Sequence, residues 1–378
     1  MHERANADHD LHRRRRHQLA ARLSRWRKEY EQSEGHALVG HRHVSLQIFD
    51  MRSDDMKLLG IVRVNSRAGR RRRAARRGGS LAILLALTLL SVAPAAAQEL
   101  EPRAYSASPV GANFAGIAYQ NSWGSLLFDP TVPITNSKAS LNGITLAYGR
   151  TFSLGGAQAL ALVGMPYAWG SFSGQVASTD TNVTRSGVGD MRAKLSLNLI
   201  GGPALSPEAF ARAAPPSVVA GVSLTVSAPT GQNYPSKLIN IGSHRWGLKP
   251  EAGISYGWRR KWYGDLYGGA WFFSENSSFY PGTSRRQQDP LSSLQGHLSY
   301  TFARRSWAAL DGTWFWGGAS HTNGGPATAR MDNKRVGVLL AIGVTSRQSI
   351  KIGYSYGAST RVGDNFGTVA VAYQRLWF

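Results

Sequence analysis

The chain contains no cysteine, so disulfide staples, thiolate metal sites and cysteine nucleophiles are excluded. Acidic residues are scarce: 22 Asp+Glu stand against 44 Lys+Arg, a formal net charge of +22. Histidine is thin after residue 98, where only His244, His297 and His321 occur, and this argues against a histidine-based metal site. Long apolar runs are missing too. The most apolar stretch, Leu81–Val92 (LAILLALTLLSV), falls well short of the roughly 20 residues that a membrane-spanning helix needs.

An excess of positive charge suggests nucleic acid or an anionic surface, but its distribution points elsewhere. Residues 1–97 hold 20 Lys+Arg against 9 Asp+Glu, and residues 98–378 hold 24 against 13. Each part carries +11, so the larger part is only mildly basic. Arginines crowd between Arg67 and Arg77, followed by the Leu81–Val92 run and by Ala95-Ala96-Ala97 before Gln98. A basic n-region, a short apolar h-region and a small-x-small cleavage site, in that order, make a secretory signal. A nucleic-acid arm has no reason to be followed by such a run. The expected organisation is a basic, disordered extension over 1–66, a signal peptide over 67–97, a periplasmic segment over 98–111 and one domain over 112–378. Met51 or Met56 offers a downstream start that would give the signal ordinary length.

What is abundant is glycine, 42 residues, with Trp, Tyr and Phe. From Ala112 onward, apolar residues alternate with small or polar ones. Val218, Ala220, Val222, Leu224 and Val226 alternate with Gly221, Ser223 and Thr225, and Val336, Val338, Leu340, Ile342 and Val344 include Gly337 and Gly343 between them. Period two is the mark of a strand with two unlike faces. About twelve strands are predicted, near 112–126, 140–151, 157–171, 186–200, 216–227, 247–258, 261–273, 291–303, 306–317, 334–345, 349–357 and 366–378. Tight breaks (SLGG, Arg259-Arg260, Arg304-Arg305, Ser346-Arg347-Gln348) alternate with longer polar loops such as VASTDTNVTR, 228–246 and 275–289. The tight side has one longer piece, 201–216, able to hold a short helix at Pro207–Ala211.

An even strand number with short turns at one end and long loops at the other describes an all-β transmembrane antiparallel β-barrel of the bacterial outer membrane. A soluble sandwich also alternates, but its polar face meets bulk water and favours Lys, Glu and Thr. Here that face carries Gly, Ser and scattered charge, as a confined lumen would. Tyr148, Tyr167, Tyr256, Trp258, Trp262, Tyr300, Trp316 and Tyr356 sit at segment edges, consistent with aromatic girdles. The chain ends on LWF with Phe378, a C-terminal strand of the kind that the barrel-assembly machinery takes as partner, although Gln374 departs from the usual apolar position.

Four phrases, LEPRAYSASPVG (100–111), SGVGDMRAKLSLNLIGGPALSPEAF (186–210), APTGQNYPSKLINIGSHRW (228–246) and KPEAGISY (249–256), resemble the transporter family of the MetA-pathway of phenol degradation. The resemblance runs from Leu100 to Phe378 and implies an outer-membrane barrel associated with uptake of aromatic hydrocarbons. It carries over no substrate-binding residue.

The polar faces hold Arg192, Lys194, Lys249, Glu251, Tyr263, Asp265, Tyr267, His297, Asp311, Arg335 and Lys351, the candidates for lining a lumen. Both signs are present. One reading is a network of ion pairs and hydrogen bonds bridging strands; the other is a permeation path whose preference these groups set. His297 and Ser299 share a strand face in GHLSYTF and could act as base and nucleophile of a lipid hydrolase. Such a pair recurs by chance, however, and only Asp311, across the next hairpin, offers an orienting acid. The function expected is a channel for small aromatic or hydrophobic solutes in the cell outer membrane, not an enzyme. It would need no cofactor or metal and would have lipid and solute, but no nucleic acid, as partners. The alternatives are the hydrolase and a structural or adhesive barrel. If the signal is read correctly, N-terminal sequencing of the exported protein yields Gln98-Glu99-Leu100; a mature end far from Gln98 contradicts it.

Overall fold

The computed structural model describes residues 101–125, 134–176, 179–259, 261–359 and 367–378. The expectations for residues 1–66 and 67–97 lie outside the described residues. Strands β1 (Asn113–Ser125), β2 (Ile134–Leu154) and β3 (Ala157–Val176) form a meander, and both β4 (Thr179–Val188) and β5 (Arg192–Ile200) pair with β3. Helix α1 (Pro207–Arg212) interrupts the connection to β6 (Val218–Ser227). Then follow β7 (Gly247–Trp258), β8 (Trp262–Phe273), β9 (Asn276–Phe279), β10 (Ser284–Gln288), β11 (Leu291–Ala303) and β12 (Ser306–Gly317). The chain finishes with β13 (Ser320–Thr322), β14 (Met331–Gly343), β15 (Gln348–Ser359) and β16 (Gly367–Trp377).

The main sheet closes on itself. Strand β1 pairs with β16 from Asn113↔Trp377 to Trp123↔Gly367, and β2 pairs with β3 from Ile134↔Val176 to Leu154↔Ala157. All pairings are antiparallel, and with β4 and β5 counted as halves of one stave the barrel has twelve staves. Closure gives every stave two neighbours, so the N–H and C=O groups find partners without water. Tight connections join β2 to β3, β7 to β8 and β11 to β12 at one end. There Gly155 and Gly156 (φ 59° and 80°), Arg259 (φ 51°) and Arg305 (φ 68°) take the left-handed backbone that a short turn demands.

The fourth stave differs from the single strand expected over 186–200. It is broken at Gly189-Asp190-Met191, and β3 supplies the reason. Pro166 has no N–H to donate, the β3–β4 ladder stops at Tyr167↔Val188, and the β3–β5 ladder resumes at Gly164↔Arg192. The Pro166 carbonyl still accepts from Gly189 N at 2.8 Å. Residues of VASTDTNVTR, read from sequence as loop, extend the β3–β4 hairpin instead, since Thr and Val suit a pleated ribbon. A further three-stranded sheet, β13-β10-β9, lies within the long loops. It has no apolar alternation and so left no mark in the sequence; backbone pairing and contacts such as Arg285 N to Asn323 Oδ1 (2.8 Å) hold it.

The apolar face of the barrel points outward. Leu298, Leu310, Val338 and Tyr354 stand side by side across β11, β12, β14 and β15, and Leu310 is 61% exposed. Tyr256, Trp258, Trp262 and Tyr300 form a chain of adjoining rings on this face towards the short-turn end, with centroids 6.0, 6.1 and 4.7 Å apart. Trp314 and Trp316 lie together towards the loop end at 4.7 Å. An apolar band between aromatic rims matches a lipid layer. Replacing Leu310 by Arg is expected to destabilise the barrel by about 2–4 kcal/mol, read as a lower denaturant midpoint in lipid vesicles. An unchanged midpoint would show that this face does not meet hydrocarbon.

Candidate functional site: the barrel lumen

Inward-facing side chains divide the lumen into two unlike walls. The wall formed by β5 to β12 is polar. Lys249 Nζ sits 2.7 Å from Glu251 Oε2, and Lys194 Nζ sits 3.7 Å from Glu251 Oε1 and 3.5 Å from Glu101 Oε2. Gln295 Nε2 donates to Glu251 Oε2 at 3.4 Å. His297 Nδ1 lies 2.7 Å from Asp311 Oδ1, and the His297 ring is 5.2 Å from that of Tyr267. The facing wall, from β14 through β16 and β1 to β3, presents mainly small residues such as Ala341, Gly353, Ala370, Ala372, Ala118 and Ala147, with Lys351, Gln120, Thr145 and Gln374 among them. Towards its loop end Arg335 donates from Nη2 to Ser355 Oγ (3.0 Å) and Thr368 Oγ1 (3.4 Å).

Of the N-terminal segment expected over 98–111, residues 103–105 lie inside the barrel against the polar wall. Arg103 N donates to Asp265 Oδ2 (3.1 Å), its Nε to Ser299 Oγ (2.8 Å) and its Nη2 to Thr301 Oγ1 (2.9 Å). The guanidinium faces the rings of Tyr263 and Trp307 at 4.3 and 4.6 Å. Ala104 N donates to the Tyr267 hydroxyl at 3.1 Å, and the Tyr105 hydroxyl donates to Glu251 Oε1 at 3.2 Å. Asn198 Nδ2 donates to the Tyr105 carbonyl at 3.2 Å. Residues 108–112 then lead along Gln158 and Thr151 into β1. The physical reason is satisfaction: acids and hydroxyls facing a confined interior need partners, and this segment supplies an arginine, a tyrosine and free backbone N–H groups.

Glycine makes the seat. A Cβ on Gly253 would lie 2.4 Å from Tyr105 Cε2 and 2.5 Å from Tyr267 Cδ1, and one on Gly221 would lie 2.7 Å from Tyr105 Cδ1. Only hydrogen at these positions lets the Tyr105 ring pack edge-on against Tyr267, centroids 5.2 Å apart, next to Val219.

All eleven candidates occupy the inner face. Lys194, Lys249 and Glu251 form one cluster, Tyr263, Asp265 and Tyr267 hold the N-terminal segment, and His297 pairs with Asp311. Arg192 stands nearer the loops, 5.7 Å from the Trp271 ring. Lys351 is half-buried on β15, close enough for its charge to act on Glu101. The His297–Asp311 contact is the one considered for a hydrolase, yet Ser299 is fully buried, its Oγ accepts from Arg103, and it faces the lumen away from lipid. Arg103 and Tyr105 were missed as site residues. Their signal was present in PRAYSASP, where two large side chains stand among small ones without alternation.

Closed antiparallel staves, a lipid-facing band and a polar interior define an outer-membrane β-barrel protein. The profile of the family described as "Putative MetA-pathway of phenol degradation" matches residues 129–375, and the chain belongs to that family. Among solved structures it is similar to the COG4313 outer membrane channel from Pseudomonas putida F1, at 22% identity and TM-score 0.61, over 74% of this chain and 100% of that one. It is also similar to the transport unit of the autotransporter AIDA-I from Escherichia coli (12% identity, TM-score 0.45, 82% of this chain and 100% of that one). The β domain of the Bordetella autotransporter BrkA aligns at 12% identity and TM-score 0.42, over 71% of this chain and 100% of that one. No curated protein matches the sequence.

Because Tyr105 is clasped by Ser223, Glu251 and the glycine seat, Tyr105→Ala is expected to loosen the segment and raise single-channel conductance severalfold in planar bilayers. Gly253→Val, which displaces the same ring, should do likewise. Unaltered conductance in both would mean the segment does not restrict the lumen.

Proposed function

We propose that the chain is a passive outer-membrane channel for small aromatic solutes, and that they move along the wall of small residues opposite the bound N-terminal segment. The observation that carries this reading is the unlike chemistry of the two walls. A polar wall spends its hydrogen-bonding groups on holding residues 103–105, whereas the facing wall is mostly Ala, Gly and Leu, with Gln120, Thr145, Lys351 and Gln374 as polar members. At Gly353 a Cβ would meet only Val338 O (3.8 Å) and Leu339 Cδ1 (3.9 Å) of the adjoining strand, and at Gly164 only Thr145 Cγ2 (3.6 Å) and Leu146 O (3.9 Å), among the described residues. An aromatic ring can pass over the small residues of this surface with few polar groups to desolvate. The family's label, a phenol-degradation pathway, and the channel among the similar structures agree in kind.

Catalysis is not part of this proposal. Ser299 is bonded to Arg103, and the His297–Asp311 pair forms a side-chain hydrogen bond between β11 and β12.

Liposomes containing the purified chain should swell in isosmotic solutions of small aromatic solutes and show discrete conductance steps in planar bilayers. Gly353→Trp, which places a large ring on the open wall, should cut the swelling rate by several fold with the barrel still folded. Swelling that is absent from the wild type, or unaffected by the tryptophan, removes the reading.

A further inference from the structure

The long loops are not simply draped over the barrel. The break in the fourth stave exposes Asp190, whose Oδ1 accepts from Gly231 N (2.9 Å) and whose Oδ2 accepts from Ser243 N (2.8 Å) and Ser243 Oγ. Met191 N donates to Thr230 Oγ1 and Gln232 N to the Val188 carbonyl, 2.9 and 2.8 Å. These bonds fasten the 228–246 loop at the lumen rim. Between it and the β9–β10 hairpin lies a cavity of about 170 Å³, lined in part by Arg245, Arg286, Phe279 and Leu238.

Two guanidiniums share this cavity. Arg245 donates from Nη2 to Gln288 Oε1 and lies 4.1 Å over the Phe273 ring, while its Nη1 is buried with no hydrogen-bond partner among the described residues. Arg286 lies 5.0 Å over the Phe279 ring and donates to Ser320 Oγ at 3.3 Å. Burial, and after it the neighbouring charge of Arg286, push the Arg245 guanidinium down to about 10, against the opposing pull of Asp190. It stays charged at neutral pH. Two cations held together in a partly buried space, one with an unused donor, are stabilised by an anion that accepts from both.

From Arg245 a run of side-chain contacts extends inward. Phe273 faces the lumen and stacks on Trp271 (6.1 Å, 9°), over which Arg192 lies at 5.7 Å. Below Arg192 come Lys194 and Lys249 with Glu251. Cations and rings thus alternate from loop to lumen. Leu238 and Phe279 in the cavity wall favour an anion with an apolar body over a bare oxyanion. The volume suffices for one ring, since an apolar cavity of about 150 Å³ accepts benzene.

We propose that the Arg245–Arg286 cavity is a capture site for small aromatic carboxylates, and that the ladder Arg245–Phe273–Trp271–Arg192 hands them to the lumen. The proposal names the solute class of the channel reading and rests on it for the direction of transfer, but binding itself is independent of conduction.

The test is equilibrium titration of the chain, folded in detergent, with sodium benzoate, read by tryptophan fluorescence. Benzoate should bind the wild type, and benzyl alcohol, which lacks the carboxylate, should bind at least tenfold more weakly. Arg245→Gln and Arg286→Gln should each weaken benzoate binding about tenfold or more, whereas Arg285→Gln, whose partner is Glu275 outside the cavity, should leave it unchanged. Heat-modifiable migration on gels verifies that each variant is folded; if one is not, the benzoate and benzyl alcohol comparison on the wild type still decides. Equal binding of the two solutes, or benzoate affinity unchanged in both variants, overturns the site. Inorganic phosphate binding as tightly as benzoate and lost in the same variants overturns the aromatic assignment in favour of a plain oxyanion site. A protein that binds benzoate but never conducts loses the channel reading and keeps the site; one that conducts but is indifferent to both substitutions loses the site alone.

Discussion

The structure depends on one constraint: inside hydrocarbon, each backbone N–H and C=O needs a protein partner. Antiparallel pairing of β1 with β16 meets this requirement by joining the two ends of the described chain. With no edge left, the sheet has only an outside and an inside. The outside is selected for apolar contact, Leu310 and Val338 among them, and the polar side chains of the strand middles are gathered into the interior, while Asp332 and Lys334 stay outside beside Trp314 at the loop end. Cysteine is dispensable in such a protein because the ladders themselves bind the strands together.

Gathering polar groups creates the second problem, which the N-terminal segment solves. Glu251 alone receives Lys194, Lys249, Gln295 and the Tyr105 hydroxyl; Asp265 and Ser299 receive Arg103. The polar wall is consequently a docking surface for the chain's own residues. What is left over is the proposed solute path along the small residues, and a rim where Arg245 and Arg286 line one cavity. In this sense the same desolvation cost that organises the lumen also decides where a solute can be accommodated.

Much of this was legible in the sequence, and the reason is period two. Alternation in Val218–Val226 or Leu248–Trp258 states directly which residues share a face, so staves and inward candidates such as Lys249, Asp265 and His297 could be read one by one. The interruption of the fourth stave was not legible, because Pro166 acts across the ladder on residues more than 20 positions away. The loop sheet was hidden for a different reason: Ser284–Gln288 pairs through backbone and polar contacts and shows no apolar pattern. Nor could the lining of Arg245 and Arg286 around one cavity be seen, since 40 residues of chain separate them.

The sequence by itself determined the face of each strand, the alternation of short turns with long loops and the family, because each is written in local pattern or in contiguous phrases. Tertiary structure alone decided that Arg103 and Tyr105 enter the lumen, that Gly221 and Gly253 leave room for a ring, and that two loop arginines meet. These are contacts between residues far apart in the chain, and only a closed barrel, by fixing every stave relative to every other, brings them within bonding distance.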